Sequence, residues 1–217
     1  MPYFTSSQIE TEMTTIQSSA STLCTKIALP NPTVSEGLGP TTYSYLKIAK
    51  GTGAGRVAVL AVAGMHAREW AQPDAVISFA RTLIAAYQGG AAFVIPSYTD
   101  PAGSTFGPLS VNAAKVKRMI EELDILLVPC ANPDGRTFSQ SAAANNDWRK
   151  NRAPRAVAAN ALTVGVDLNR NFDIAWDYQI YYNAAFAATA GNPGGFLFPP
   201  RSLVDFPTSF FGAGNRL

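Results

Sequence analysis

The sequence predicts an α/β protein, a mixed and mostly parallel sheet flanked by helices. Three observations predict it. Val57 to Ala63 and Asp124 to Cys130 are apolar runs without polar alternation, the pattern of strands covered on both faces. Helical periodicity follows the first run and precedes the second. The 217 residues, 47% apolar and 15% charged, are enough chain to bury about 70% of their unfolded surface in one domain.

In chain order, Ser7-Gln8-Ile9-Glu10 has the form of a capping box. Ile9, Met13, Ile16, Ala20 and Leu23 then recur on one helical face, so a helix is expected from Ser7 to Leu23. Thr25 to Leu29 is a short strand ended by Pro30-Asn31-Pro32, and Thr33 to Pro40 is a loop. Thr42 to Ala49, rich in β-branched and aromatic residues, is a strand. Gly51-Thr52-Gly53-Ala54-Gly55 turns the chain back, and Arg56 to Ala63 is expected as its hairpin partner. A helix runs from Ala71 to Gln88, with Val76, Ala80, Leu83, Ile84 and Tyr87 inward and Pro73 tolerated in its first turn. Gly89 to Ser110 is loop-rich. Asn112 to Leu123 is a helix with Val116, Met119, Ile120 and Leu123 inward. The run ending at Cys130 gives way to a turn at Asn132-Pro133-Asp134-Gly135. Gly165 to Leu168 is a short extended piece, and Trp176 to Ala190 is helical.

Composition excludes several classes of function. A net charge of +2 is too small to imply nucleic acid or an acidic membrane, and no apolar run reaches membrane-spanning length. Met1-Pro2-Tyr3-Phe4 lacks the basic region and apolar core of a signal peptide. That start leaves localisation open. Cys24 and Cys130 permit one disulfide and do not demand it, and Cys130 reads as a buried thiol.

Chemistry concentrates in Gly64-Met65-His66-Ala67-Arg68-Glu69-Trp70. His66 is the only histidine, and Glu69 lies three residues on. On a turn leaving a strand, the two can close on one metal ion from the same side, imidazole and carboxylate both being zinc ligands. The same pair also reads as a capping Glu beside a solvated His. Two further clusters follow. One is Asn132-Pro133-Asp134-Gly135 with Trp148-Arg149-Lys150-Asn151-Arg152. The other is Gly165-Val166-Asp167-Leu168-Asn169-Arg170-Asn171-Phe172.

In this order and spacing the three clusters resemble the zinc carboxypeptidases of the carboxypeptidase A type, over the first half or so of that family's catalytic domain. The resemblance implies zinc as cofactor, with His66 and Glu69 as its first two ligands. A third ligand and an open position for water would complete such a site, which could lower the pKa of that water to about 7. Asp167 resembles the carboxylate that accepts a hydrogen bond from the ligand histidine and fixes its tautomer; on its own it also reads as a turn residue. Arg149 resembles the arginine that stabilises the oxyanion. Asn169 and Arg170 resemble the pair that grips the free carboxylate of a peptide C-terminus, and Arg68 matches a position along the substrate groove. The implied partners are peptide and protein C-termini.

Lys150, Arg152 and Arg155 read as surface charge, and Trp70, Phe172, Trp176 and the tyrosines near Tyr181 as packing residues. The family's third ligand is a histidine in the second half of its domain, as are its general-base glutamate and groove tyrosine, and this chain has no second histidine. Neither Asp205 nor Cys130 has the spacing to replace it. Pro207 to Gly212 resembles the segment just before those elements. The expectation is therefore one incomplete catalytic domain over residues 1–217, cut short and inactive alone, with the edge of Val57 to Ala63 unpaired. The alternative is a non-catalytic module that binds C-terminal carboxylates.

Overall fold

The two apolar runs become neighbouring strands. In the computed structural model, which describes residues 3–53, 55–154 and 164–170, Val57–Val62 pairs in parallel with Leu123–Val128 along its whole length. The chain forms two compact units. The first takes in residues up to Leu29, Ser44–Ala63 and Ala71–Pro129; the second takes in Pro30–Tyr43, Gly64–Trp70 and the residues from Cys130.

The first unit contains, in chain order, α1 (Ser6–Ser19), β1 (Cys24–Ala28), β2 (Ser44–Ile48), β3 (Val57–Val62), α2 (Ala71–Gln88), β4 (Phe93–Ile95), β5 (Tyr98–Thr99), β6 (Thr105–Phe106), β7 (Leu109–Val111), α3 (Ala113–Glu122) and β8 (Leu123–Val128). Its main sheet is mixed, ordered β1-β2-β8-β3, with the first two pairings antiparallel and the last parallel. Leu46 lies opposite Leu127, and Ile48 opposite Ile125. These four share a face and are all buried. The buried stripes of the helices complete that core: Ile9, Met13 and Ile16 from α1, Ile77, Ala80, Leu83 and Ile84 from α2, Val116 and Ile120 from α3. Burying each large apolar side chain contributes about 1.5–3 kcal/mol. In α2 the buried residue is Ile77 rather than Val76, and the half-buried Tyr87 donates its hydroxyl to Glu121 at 2.8 Å. No helix among the described residues is long and apolar enough to cross a membrane.

Several expectations are corrected here. The capping box of α1 is formed by Thr5 and Gln8, two residues early, which leaves Glu10 to accept hydrogen bonds from Ser44 N and Oγ at 2.9 Å. β2 and β3 do not form a hairpin, because β8 lies between them. Asp124 explains how β8 holds that place. Lys47, from β2, reaches its carboxylate at 2.6 Å, and Arg56, just before β3, reaches it at 2.7 Å. Those two hydrogen bonds hold the Asp124 carboxyl below the usual carboxylate range. Residues 93–111 are not only loop, since β4 pairs with β7 and β5 with β6. β3 is apolar like an interior strand, yet it is an edge strand of the described sheet. Val57 is 64% exposed and Leu60 62%.

The second unit is built on α4 (Pro133–Ser139) and two 3-10 turns, Ala143–Asn145 and Leu168–Arg170. Asn132-Pro133-Asp134-Gly135 is thus a helix start rather than a simple turn. Asn132 caps it by accepting from Gly135 N at 3.0 Å, and Pro133 occupies the first turn, where no N–H is missed. Gly165 to Leu168 is not extended; Gly165 has φ +74, and a Cβ there would collide with the Asn151 carbonyl. The expected roles of Arg155, Phe172, Trp176, Tyr181, Asp205, the helix from Trp176 to Ala190 and the segment Pro207 to Gly212 fall outside the described residues.

Candidate functional site

All the described candidate residues lie in the second unit, on three stretches of irregular chain tied together by α4. Gly64, at φ 62, opens the stretch that carries His66. Ala67 N donates to Arg149 O at 3.0 Å, binding it to the Trp148–Arg152 stretch. Asn151 N donates in turn to Val166 O at 3.1 Å, binding that stretch to the one carrying Asp167. The cap residue of α4 serves this assembly too. Asn132 Nδ2 donates to Met65 O at 3.1 Å and to Lys150 O at 3.0 Å. At the other end of α4, Ser139 Oγ accepts from Trp70 Nε1 at 2.8 Å and lies 2.9 Å from Ala67 O. Arg136 donates to Trp70 O at 3.1 Å.

His66 is 7% exposed. Its Nε2 lies 3.2 Å from Asp167 Oδ1, and its Nδ1 lies 2.7 Å from Glu69 Oε1. Asp167 is 1% exposed. Burial pushes its pKa up, but the hydrogen bonds and charges of His66 and Arg149 outweigh that and hold it below its ordinary value. An ionised Asp167 can only accept, so Nε2 carries the hydrogen of that contact, and it is Nδ1 that faces Glu69. A lone pair and a carboxylate oxygen at 2.7 Å require a cation between or beside them, either a proton or a metal. One nitrogen and one oxygen donor therefore fit two positions of a zinc site. Among the described residues no group of three His, Cys, Asp or Glu side chains could hold a metal ion.

Arg149 joins the same cluster. Its Nε donates to Asp167 Oδ2 at 2.7 Å, and its Nη1 stands 4.0 Å from Glu69 Oε1. Asn169 N donates to Asp167 Oδ1 at 3.0 Å, while the residue itself is exposed. Arg170 follows in the same 3-10 turn, its side chain outside the described residues. Arg68 is half-buried, and no hydrogen bond or ion pair among the described residues ties its side chain to the cluster.

Of the basic residues expected on the surface, Lys150 is buried and Arg152 is half-buried. Lys150 is fully buried, its ammonium 5.0 Å from the centre of the Trp148 ring, and its pKa falls to about 7 through burial and then the Arg152 charge. Arg152 stacks its guanidinium 3.9 Å over Phe138 and 4.9 Å over Trp148. The aromatic rings let Lys150 leave water and Arg152 leave it in part. The sequence reading gives Asn132 only as part of a turn and of one cluster, without a role of its own, and misses Ser139. The signal for Asn132 was an Asn directly before Pro, the cap-then-proline form of a helix start.

A sequence model described as zinc carboxypeptidase matches residues 38–195. Carboxypeptidase A2 of Mus musculus is 34% identical over 122 residues, covering 56% of this chain and 22% of that protein. The inactive metallocarboxypeptidase ecm14 of Talaromyces stipitatus is 30% identical over 124 residues, covering 57% of this chain and 16% of that protein. Among solved structures, carboxypeptidase A from Helicoverpa armigera superposes with a TM-score of 0.59 at 22% identity, over 82% of this chain and 35% of that one. The matches thus span less than half the length of each of these relatives.

Proposed function

The chain belongs to the zinc carboxypeptidase family, and on that premise we propose that it carries part of a metallocarboxypeptidase centre releasing amino acids from peptide C-termini. The observation that carries the reading is the His66 Nδ1 to Glu69 Oε1 approach of 2.7 Å, with the opposite ring nitrogen taken by Asp167. His66 and Glu69 would hold zinc, which when bound supplies Lewis acidity toward a peptide carbonyl and lowers the pKa of water to about 7. Asp167 keeps the His66 hydrogen on Nε2 and leaves Nδ1 as the donor atom. Arg149, anchored through Nε, offers its outer N–H groups to a carbonyl oxygen that gains negative charge. One such donor is typically worth about a hundred- to a thousand-fold in rate. Asn169 and Arg170 take the substrate's terminal carboxylate, a guanidinium being able to give it two parallel hydrogen bonds. That contact selects free C-termini over internal bonds, and Arg68 lines the groove beyond the cut bond. Residues 1–217 act as an incomplete catalytic domain, with weak zinc affinity and no peptidase activity alone.

Zinc affinity measured by competition with a chromophoric chelator tests this. His66→Ala should weaken binding by more than the roughly ten- to hundredfold that loss of an outer hydrogen-bond partner costs. Equal affinity in His66→Ala and the parent chain would sink the metal reading. A second reading is a non-catalytic module that holds C-terminal carboxylates. It is favoured by the similarity to the inactive metallocarboxypeptidase ecm14 of Talaromyces stipitatus. It predicts that a short peptide binds as the free acid and not as the amide; equal binding rejects it.

A further inference from the structure

The Asp167 carboxylate does more than orient one histidine. It is 1% exposed and receives three donors from three stretches of chain: His66 Nε2 and Asn169 N on Oδ1, at 3.2 and 3.0 Å, and Arg149 Nε on Oδ2, at 2.7 Å. A buried carboxylate with its oxygens shared in this way has little freedom to rotate. Losing any one donor changes the equilibrium position of the carboxylate and so of the other two partners. We propose that Asp167 is the shared positioning residue of the site, coupling the donor geometry of His66 to the placement of Arg149 and of the Asn169–Arg170 turn. This rests on the functional reading of His66 and Arg149 above. Arg149 touches no proposed metal ligand within hydrogen-bonding distance, its nearest approach to Glu69 being 4.0 Å. Its effect on the metal must therefore pass either through the field of its charge or through Asp167.

The two routes have opposite signs. Removing a cation near a divalent metal strengthens metal binding if the field alone acts. Removing the hydrogen bond that steadies Asp167 weakens it. The experiment measures zinc affinity for the parent chain, Arg149→Met, Asp167→Asn and the double variant. Positioning predicts a weakening of about three- to tenfold in Arg149→Met, below the roughly ten- to hundredfold expected for losing the direct partner Asp167. It also predicts no further weakening when Arg149→Met is added to Asp167→Asn. Unchanged or tighter binding in Arg149→Met, or the same weakening in both backgrounds, overturns the proposal.

A second measurement needs no metal. His66 is the only histidine, so one long-range 1H–15N spectrum reports its tautomer without ambiguity. With a proton as the cation between Nδ1 and Glu69, the parent chain should keep Nε2 fully protonated, Arg149→Met should lose part of that Nε2–H, and Arg149→Gln, which keeps an N–H without the charge, should return toward the parent. An Nε2–H unaffected by Arg149→Met overturns the proposal. Should zinc fail to bind through His66, the functional reading falls, and this spectrum still decides whether Asp167 couples the two residues.

Discussion

Replacing Asn132 by Ala removes three hydrogen bonds at the centre of the second unit. Asn132 is 2% exposed; its Oδ1 caps α4 at Gly135 N, and its Nδ2 serves the carbonyls of Met65 and Lys150 at 3.1 and 3.0 Å. Loss of a helix cap costs about 1 kcal/mol, and a buried polar group left without its partner costs about 1–3 kcal/mol. With the cap and the one buried carbonyl contact, that to Lys150 O, the expected loss is about 2–4 kcal/mol, a large share of the roughly 5–15 kcal/mol that holds a domain together. Asn132→Asp separates the contributions. It keeps the cap acceptor but turns an oxygen toward two carbonyl oxygens, so it should be at least as unstable as Asn132→Ala. Urea unfolding followed by circular dichroism gives both values. A loss under about 1 kcal/mol in Asn132→Ala, below the cost expected for one buried unsatisfied group, would refute the account, as would parent-like stability in Asn132→Asp.

Three more predictions follow from the same geometry. Gly165→Ala must take a left-handed φ and place a Cβ against the Asn151 carbonyl, so its melting temperature should fall, while Gly53→Ala, with open space around it, should melt with the parent. Lys150, its pKa lowered to about 7, binds its proton more weakly folded than unfolded. Stability referred to Lys150→Met should accordingly rise with pH between about 7 and the ordinary lysine value of about 10.4, and stay level below that window; a flat difference across it contradicts the burial. The exposed apolar edge of β3 should promote self-association, and Leu60→Lys should raise the concentration at which the 217-residue chain begins to scatter light. Unchanged scattering rules out that edge as the contact.

Sequence pattern located elements better than it located their neighbours. The helix from Ala71 to Gln88 has the predicted bounds, because its periodicity is set by burial within one element. The hairpin of β2 and β3 failed because pairing depends on a strand sixty residues later, whose Asp124 binds Lys47 on one side and Arg56 on the other. Ser7 and Glu10 matched a capping box as well as Thr5 and Gln8 do. The tertiary demand of Ser44 and Lys26 on Glu10 separates the two. In the site, His66, Glu69, Arg149 and Asp167 were legible as a set and are found in contact. The burial of Lys150 and the half-burial of Arg152 were not legible, since a run of basic residues looks solvated until the rings of Trp148 and Phe138 are placed beside it. The bridging role of Asn132 was hidden for a related reason: two of its three partners are carbonyls, which carry no sequence signature.

The most direct test of the central claim is an anomalous difference map, recorded at the zinc edge, from crystals of the chain soaked in zinc. The account predicts a peak about 2.0–2.1 Å from His66 Nδ1 and within ligand distance of a Glu69 carboxylate oxygen, with His66 Nε2 still on Asp167. A peak on Nε2, or zinc bound elsewhere with the His66–Glu69 pair bare, would contradict it.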